Sequence, residues 1–463
     1  MKNNSLTRRE FLGKTSAGIA AASVVARGTA AVSGKSTNAG INGTPAVAGN
    51  PNALAMKGGT PVRTTPFPHW PHHEAIDEEY VMKTLKNERW CSFDGEFGPR
   101  FEKAYAEAMG AKGAVMTTGG THTLNMAMEL LDIGPGDEVL LSPWTAVATA
   151  CAVTMTHALP VFVDTELDSF YMDPKDIEHR INENTKAIIP VHIFGGVSHM
   201  DKILAIGQKH NIPVIEDACQ AHWAQWKDKK AGTMGEMGCF SFNESKIMPG
   251  GEGGMMISNR QDLLDKARMF RNFGMDPKDH RPNASAIRAT KYRISDLVPA
   301  LLLAQLSRLE QNCKTREENA LYLTAQLKKN VPGILPQARY AETTHQNYWW
   351  YGFRYEPKHF SGATREQFAK AVAAEGIHVN DYSCAINHEP FLEANLSSRG
   401  YKRIYSKERL DRYRQENKCP HNDEVAATNL GFGHPMLGGP RKDMDDIVEA
   451  FAKVQKYSEA LVS

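Results

Sequence analysis

The chain has 463 residues, of which 41% are hydrophobic and 23% charged, so its length favours two or three structural units with ample cores. Lys and Arg number 54 and Asp and Glu number 53, and the resulting formal net charge of +1 excludes a whole-chain electrostatic surface for nucleic acid or membranes. Seven cysteines are too few for a disulfide scaffold in a chain of this length.

Residues 1–33 have the order of a secretory leader. The motif TRREFLGK, with Arg8 and Arg9, precedes an alanine-rich stretch at 19–26, which is shorter than the ~20 apolar residues of a membrane span. Adjacent arginines in this motif indicate a twin-arginine signal, so we expect export of the folded protein to the periplasm or another extracytoplasmic compartment. A disordered or mitochondrial-type basic tail is the alternative.

The remaining chain divides by composition into three parts. Residues 34–56 are mostly small and polar, which predicts a linker. We expect a large domain at 57–308 and a small C-terminal domain at 309–463, where longer helical patterns alternate with short strands such as YWWYGFRY.

From residue 113 onward, short apolar runs alternate with helical patterns, which is typical of βα units on a mostly parallel sheet. The first unit is a strand at 113–116, the turn TTGGT and a helix with one apolar face. Asp173 and Pro174 predict the start of another helix, and a further helix is expected at 261–273. Other strands are predicted at 138–141, 161–164, 187–192, 214–216, 239–242 and 254–258.

Three loops follow predicted strands, where open α/β sheets bind their ligands. In the first, TTGGTHT, backbone N–H groups at a helix start suit a phosphate, although a Gly-Gly turn also serves steric needs alone. In the second, VIEDACQAH, a strand runs into Glu216 and Asp217. A carboxylate in a cleft needs a cationic partner such as a protonated heterocyclic nitrogen, unless it caps the next helix.

The third loop, in CFSFNESKIMPGGEGGMM, contains Lys246 between a strand and a glycine-rich turn. A lysine in a confined site can lose its proton and form a Schiff base with a carbonyl, whereas an isolated loop lysine is usually solvated. The order of phosphate loop, carboxylate and lysine, each at a strand end, favours the Schiff base.

This set resembles the fold type I enzymes that depend on pyridoxal phosphate, and within them the DegT/StrS family of sugar aminotransferases. The similar segments are ALAMKGGTPVR, DIGPGDEVLL, PVFVDTE, PVHIFGG, EDACQAH, FSFNESK, GGEGG, KYRISD, AQLSRL and LGFGHPML. The resemblance implies an α/β fold type I transferase, with a mostly parallel central sheet flanked by helices and a smaller α+β C-terminal domain.

The resemblance also implies the roles of individual residues. Lys246 would form the Schiff base with pyridoxal 5'-phosphate and move the catalytic proton. Asp217 would pair with the pyridinium nitrogen, and Gln220 would lie near the ring and its hydroxyl. The phosphate would be held by Gly120, Thr121, His122 and Ser241.

Two positions depart from the family pattern. The segment before YRISD reaches the partner's phosphate in similar homodimers, and here it places Lys291 where many relatives have asparagine. Lys291 could bind phosphate as a point charge or contact substrate, and a surface charge is the alternative. In SPWTAVATA, Ala146 replaces the usual stacking aromatic residue, so either Trp144 stacks on the cofactor or it belongs to the core.

Other candidate residues have structural interpretations. His69, His72 and His73 in PHWPHH lack a recognisable ligand partner, and no metal site is predicted. Cys219 and Cys239 are expected to be packing residues. His434 and Asn387 are named as candidate substrate contacts.

Together these observations predict a homodimeric aminotransferase that moves an amino group from glutamate or glutamine to a keto-sugar or an inosose-like keto-cyclitol. Nucleic acid and a stable membrane span are not expected. A dehydratase or aromatising enzyme with the same cofactor is one alternative, and a non-catalytic, exported cofactor- or carbohydrate-binding protein is another.

Overall fold

A mixed β-sheet lies at the centre of the structure, a computed structural model that describes residue 50 and residues 53–276, 279, 281, 284–382 and 385–463. The described residues all belong to one compact unit, Gly49–Ser463. The predicted signal at 1–33 and most of the predicted linker lie outside the described residues.

Hydrogen bonds join the strands of this sheet in the order β1-β9-β8-β5 and β3-β2-β4. Backbone hydrogen bonds from Ile188 N to Pro213 O and from His192 N to Asp217 O connect the two sets through β4 and β5. Only β9 among these strands runs antiparallel to its neighbours, so the prediction of a mostly parallel sheet is confirmed. The bounds are β1 Gly113–Thr117, β2 Glu138–Leu141, β3 Leu159–Phe162, β4 Thr185–Ile189, β5 Ile215–Asp217, β8 Met237–Ser241 and β9 Gly254–Ser258.

Both faces of this sheet are covered, which explains why its strands are continuous apolar runs. Successive residues point to opposite faces: Val139 and Leu141 pack in one hydrophobic cluster, and Leu140 packs in the other. The sheet therefore separates two cores.

Fifteen α-helices accompany the strands in the described residues, and several begin as the sequence predicts. Asp173 caps one of them by accepting a hydrogen bond of 2.9 Å from Lys175 N, and Pro174 is its first residue. The bounds are α1 Ala75–Asn87, α2 Phe97–Met109, α3 Gly120–Leu130, α4 Val147–Met155, α5 Pro174–Arg180, α6 Met200–His210, α7 Gln261–Phe270, α8 Leu297–Asn330, α9 Arg365–Ala374, α10 Pro390–Leu396, α11 Tyr401–Ile404, α12 Lys407–Glu416, α13 Pro420–Thr428, α14 Arg441–Lys456 and α15 Glu459–Val462. None of the described helices is long and apolar enough to cross a membrane.

The C-terminal part builds a smaller antiparallel sheet in the order β10-β12-β13. Its strands pack with α8, α9 and α14 around a third hydrophobic core, which includes Leu54 at 2% exposure. Leu54 belongs to the predicted linker 34–56, so the end of that segment is packed rather than extended. The bounds are β10 Ile334–Pro336, β12 Trp350–Tyr355 and β13 Asn429–Gly433, and a third sheet contains β6 Gln225–Trp226, β7 Lys229–Lys230 and β11 Thr343–His345.

The long helix α8 connects the part of the structure built on the central sheet with the part built on the smaller C-terminal sheet. It has 34 residues, and the boundary predicted between residues 308 and 309 falls inside it. At one side Arg308 pairs with Asp77 of α1 at 2.5 Å, and further along Asn319 donates to the carbonyl oxygen of Leu437 at 2.8 Å. The helix is therefore shared by the predicted large and small domains.

Candidate active site

A cavity of about 290 Å³ lies at the carboxyl ends of the central strands. The structure brings together at its wall most of the predicted site residues, namely Gly120, Thr121, His122, Asp217, Gln220, Ser241 and Lys246. A larger groove of about 490 Å³ beside β10 is lined by none of them. The smaller cavity is therefore the candidate active site.

One end of the cavity is formed by the turn between β1 and α3. Gly120 is the first residue of α3, and a Cβ atom there would lie 2.8 Å from both Cys219 Sγ and Ser241 Cβ, so only glycine fits. The first N–H groups of a helix have no partner within the helix and carry partial positive charge. Thr121 and His122 follow in this first turn, which makes the end of the cavity suitable for an anion.

Asp217, the last residue of β5, has a carboxylate that is 4% exposed. Its Oδ2 accepts a hydrogen bond of 2.8 Å from Thr149 Oγ1, and its Oδ1 accepts one of 3.2 Å from Cys219 N. Asp217 forms no ion pair with any residue that the structure describes. A buried charge of this kind is stable when a cation faces it, so the cavity is suited to a positively charged ring nitrogen.

The neighbouring Glu216 points to the other face of the sheet. Its fully buried carboxylate accepts hydrogen bonds of 2.7 Å from the backbone N–H groups of Gly232, Met234 and Gly235, and its Oε2 lies 2.9 Å from His192 Nε2. Glu216 is thus satisfied inside the protein and does not line the cavity. Of the two adjacent acids in VIEDACQAH, only Asp217 is available to a ligand.

Lys246 also lines the cavity and lies in the loop between β8 and β9. Its main chain is fixed on both sides: the Lys246 N–H donates to Asn243 O at 2.9 Å, and its carbonyl accepts from Trp70 Nε1 at 3.1 Å. Its Nζ is 4.3 Å from the centroid of the Trp349 ring. The half-buried amine is therefore held over an aromatic face beside the cavity.

Gln220 has its side-chain amide oriented by two partners. Its Oε1 accepts a hydrogen bond of 2.8 Å from Phe194 N, and its Nε2 lies 3.1 Å from Tyr382 Oη. Tyr382 in turn packs edge-on against Trp349, at 5.9 Å between ring centroids. Gln220 thus links the cavity to an aromatic wall that the sequence did not indicate.

A buried histidine supports the strand that carries Ser241. His222 Nδ1 is 2.8 Å from Tyr105 Oη, and its Nε2 is 2.8 Å from the carbonyl oxygen of Ser241. Burial lowers the pKa of His222 to about 4, so the ring is neutral near pH 7 and its Nε2 donates to Ser241. Burial also raises the pKa of the Cys219 and Cys239 thiols; Cys239 is fully buried, whereas Cys219 is partly exposed and lines the cavity.

Two predicted cofactor residues do not join the cavity of this chain. Trp144 is completely buried in a cluster with Phe170, Phe194 and Trp350, and the neighbouring Ala146 lines the cavity instead. The structure thus places Trp144 in the core, because its side chain points away from the cavity. Lys291 is exposed, and its backbone pairs with that of Asn272 in an isolated antiparallel β-bridge.

The remaining candidates lie apart from the anion end. His434 is 2% exposed, with its Nε2 3.3 Å from Ser245 O, whereas Asn387 is half-buried beside His388 and Asp423. The three histidines of PHWPHH have exposed side chains. Among the described residues, no group of three or more His, Cys, Asp or Glu side chains could hold a metal ion.

Sequence reasoning missed Thr149, Trp349 and Trp70. Thr149 lies in the first turn of α4, and only its 2.8 Å contact with Asp217 identifies it. Trp349 and Trp70 come from distant parts of the chain and meet at Lys246 through the fold, so no local spacing could indicate them.

Comparison with known proteins agrees with this geometry. The model of the DegT/DnrJ/EryC1/StrS aminotransferase family matches residues 71–403. The L-glutamine:2-deoxy-scyllo-inosose aminotransferase of Micromonospora echinospora is 32% identical over 416 residues, covering 87% of this chain and 97% of that protein. The protein of the same name from Streptomyces lividus is 30% identical over 426 residues, covering 89% and 99%. The crystal structure of 3-amino-5-hydroxybenzoic acid synthase superposes with a TM-score of 0.75 at 24% identity, covering 85% of this chain and all of that one.

Proposed function

The chain belongs to the DegT/DnrJ/EryC1/StrS aminotransferase family, and on this premise we propose that it transfers the amino group of L-glutamine to the ketone of an inosose-type cyclitol. The chain is an aminotransferase whose cofactor is pyridoxal 5'-phosphate. The names of the relatives from M. echinospora and S. lividus state L-glutamine and 2-deoxy-scyllo-inosose, and both proteins match this chain over most of their length. These names support the choice of both substrates.

The observation that carries the proposal is the buried carboxylate of Asp217, which has no ion-pair partner in the described part of the chain and faces the same cavity as Lys246. The residues present fit pyridoxal 5'-phosphate: the start of α3 suits its phosphate, Asp217 suits its protonated ring nitrogen and Lys246 suits its carbonyl. The absence of a Cβ at Gly120 lets the start of α3 pack directly against Cys219 and Ser241 at this end of the cavity.

When bound, the cofactor supplies a carbonyl for amine exchange and a ring that accepts electrons. Asp217 keeps a proton on the ring nitrogen, and Thr149 orients the carboxylate for this. Lys246 Nζ would take the proton from the α-carbon of the donor and return it to the cofactor carbon on the other side of the amino nitrogen. In the second half-reaction the same amine moves a proton to the carbon of the acceptor ketone.

The wall beside Lys246 supports an uncharged, ring-shaped acceptor. Trp349 lies below the amine, and the ring of Tyr382 flanks it at 5.9 Å between centroids. Flat aromatic surfaces suit the C–H face of a cyclitol, whose hydroxyl groups project around its rim. Gln220 and Tyr382 provide polar groups at the edge of this wall.

We also propose a homodimer in which Lys291 of each subunit reaches the partner's cofactor phosphate. Several large apolar side chains are exposed in the described residues near the segment of Lys291 or the cavity. Phe273, whose N–H donates to Thr290 O, is 47% exposed, and Trp90, whose carbonyl oxygen accepts from Asp296 N, is 57% exposed, with Phe93 nearby at 47%. Val147, next to the cavity residue Ala146, is 44% exposed. Exposed apolar groups of this size are typical of protein interfaces.

The localisation is a further proposal: the TRREFLGK motif directs the folded, cofactor-loaded protein through the twin-arginine route. Replacement of Arg8 and Arg9 by lysine would keep the protein inside the cytoplasm, as fractionation would show. Equal export of that variant would contradict the proposal.

The test of the activity is spectroscopic. The purified holoenzyme is mixed with L-glutamine, and loss of the visible cofactor absorbance reports the first half-reaction. Recovery of this absorbance is then measured separately after addition of 2-deoxy-scyllo-inosose, a free keto-sugar or a nucleotide-linked keto-sugar. We expect the cyclitol to restore the absorbance fastest. If protein that holds the cofactor reacts with none of the amino donors, the proposal is overturned in favour of a binding protein.

A further inference from the structure

Arg316, on the long helix α8, carries a buried charge that has no counterion among the residues that the structure describes. Its side chain is 4% exposed, and its Nε and Nη1 atoms have no hydrogen-bond partner among the described residues. The adjacent Glu317 does not compensate it, because its carboxylate accepts from Arg339 Nη1 at 2.7 Å and contacts His345 Nδ1 at 3.0 Å. Burial lowers the pKa of the guanidinium, but an arginine stays charged in proteins.

Such an arrangement is costly for the protein alone. Removing a guanidinium from water is unfavourable unless hydrogen bonds and an opposite charge replace the lost hydration. The contact with Trp70, whose ring centroid is 5.0 Å from Arg316 Cζ, offsets only part of this cost. An anion that enters from outside would supply both the hydrogen-bond acceptors and the charge.

Arg316 is connected to the reactive lysine through Trp70. The indole of Trp70 covers the guanidinium, and its Nε1 donates to the carbonyl oxygen of Lys246 at 3.1 Å. The ring of His434 packs against Trp70 at 4.6 Å between centroids, and its Nε2 is 3.3 Å from Ser245 O. The arginine thus lies next to the loop that carries Lys246.

His434 cannot serve as the counterion. Burial, together with the positive charges of Arg316 and Lys246, lowers its pKa well below the usual value, so the imidazole is neutral. Its Nδ1 is also buried without a partner among the described residues. Arg316 and His434 together therefore present hydrogen-bond donors and an acceptor, but neither carries a negative charge.

We propose that Arg316 binds the carboxylate of the amino donor. The planar guanidinium matches a carboxylate through two parallel hydrogen bonds. The inference rests on the proposed function, in which L-glutamine is the only substrate with a carboxylate and the cyclitol has none. The donor then neutralises Arg316 when it binds, and departure of the keto acid leaves the cation open for the next donor.

The first test compares L-glutamine with its α-carboxamide, L-glutamine amide, in Arg316→Gln, Arg316→Lys and wild-type holoenzyme. The measured quantity is the second-order rate constant for loss of the cofactor absorbance. We expect Arg316→Gln to lose on the order of 30- to 100-fold with L-glutamine and less than about 3-fold with the amide, with Arg316→Lys in between. Equal losses with both compounds, or no loss, would overturn the assignment.

Arg308→Gln is the matched control, since Arg308 lies on the same helix but pairs with Asp77. Its loss should lower the melting temperature and leave the preference for L-glutamine over the amide unchanged. Arg316→Gln should keep or raise the melting temperature of the ligand-free holoenzyme, because it removes an uncompensated charge. If Arg316 instead stabilised the fold, Arg316→Gln would lower the melting temperature of the ligand-free holoenzyme.

A binding measurement separates this site from the proposed reaction. Glutarate, a dicarboxylate without an amino group, should raise the melting temperature of the wild-type holoenzyme and not that of Arg316→Gln. If L-glutamine fails to react but glutarate protects in this Arg316-dependent way, the proposed function falls and the carboxylate site stands. Equal protection of both proteins by glutarate, or equal protection of wild type by chloride and glutarate, would overturn the carboxylate site.

Discussion

Thr149 donates a hydrogen bond of 2.8 Å to Oδ2 of Asp217, while the backbone N–H of Cys219 occupies Oδ1 at 3.2 Å. One donor comes from α4 and the other from the chain directly after β5, so the plane of the carboxylate is fixed by two elements. The acid is thereby oriented for a ring nitrogen before any ligand binds.

Asp217→Asn should fold normally and lose most of its activity. The amide keeps an acceptor for Thr149 but does not stabilise a proton on the ring nitrogen, so turnover should fall by at least ~100-fold. Thr149→Val, which leaves the charge in place, should fall only by about 10-fold. Steady-state kinetics with circular dichroism as a check on folding would measure both, and near-normal turnover of Asp217→Asn would refute the role of the acid.

Lys246→Ala should abolish the visible absorbance of the lysine-bound cofactor together with transamination. Lys230→Ala is a suitable control, because Lys230 also lies over a tryptophan ring, at 2.9 Å from the Trp223 centroid, but outside the cavity. The control should keep both absorbance and activity. Survival of the absorbance band in Lys246→Ala would rule out this lysine.

Glu216→Ala should affect stability rather than chemistry. The substitution leaves the N–H groups of Gly232, Met234 and Gly235 without their buried acceptor, which should cost about 3 kcal/mol or more in the free energy of unfolding. Urea denaturation would measure the loss. A variant as stable as wild type but inactive would show that Glu216, and not Asp217, serves the reaction.

The buried His222 should make the stability of the folded protein depend on pH. Its folded-state pKa of about 4 lies below the ordinary value of 6.5, so the unfolded chain binds a proton between these values and the folded protein does not. The free energy of unfolding should therefore fall as pH drops through this window, by about 3 kcal/mol from this residue. In urea titrations at pH 7 and pH 4, His222→Gln should lose less stability than wild type, and an equal loss would contradict the assignment.

Mixed dimers test the shared site. A hybrid of a Lys246→Ala subunit and a Lys291→Glu subunit contains one site with both residues intact if Lys291 acts on the partner. We expect the hybrid to regain up to half of the wild-type activity, although each parent is impaired. Activity no higher than the mean of the two parents would mean that Lys291 acts within its own chain or not at all.

The sequence predicted the features that depend on neighbouring residues. The strands β2 and β9 have the predicted bounds, and the Asp173 cap is present, because strand patterning and capping are local. The strand predicted at 187–192 ends instead at Ile189, since Pro190 has no N–H for the ladder.

The features that the sequence did not predict depend on contacts between distant segments of the chain. The sequence left open whether Trp144 stacks on the cofactor or belongs to the core, because its orientation is decided by Phe170, Phe194 and Trp350 from other elements. Arg316 looks like any charged residue of an amphipathic helix, and only the burial of its position sets it apart.

The length of α8 between Arg308 and Asn319 has a consequence for how this protein can change over evolution. Insertion of a single residue between them would rotate the following part of the helix by about 100° relative to the first. Arg308 and Asn319 could then no longer keep their partners, Asp77 and the Leu437 carbonyl, at the same time, and Arg316 would turn away from Trp70. Insertions and deletions should therefore be excluded from this stretch, even where substitutions on its exposed face are tolerated.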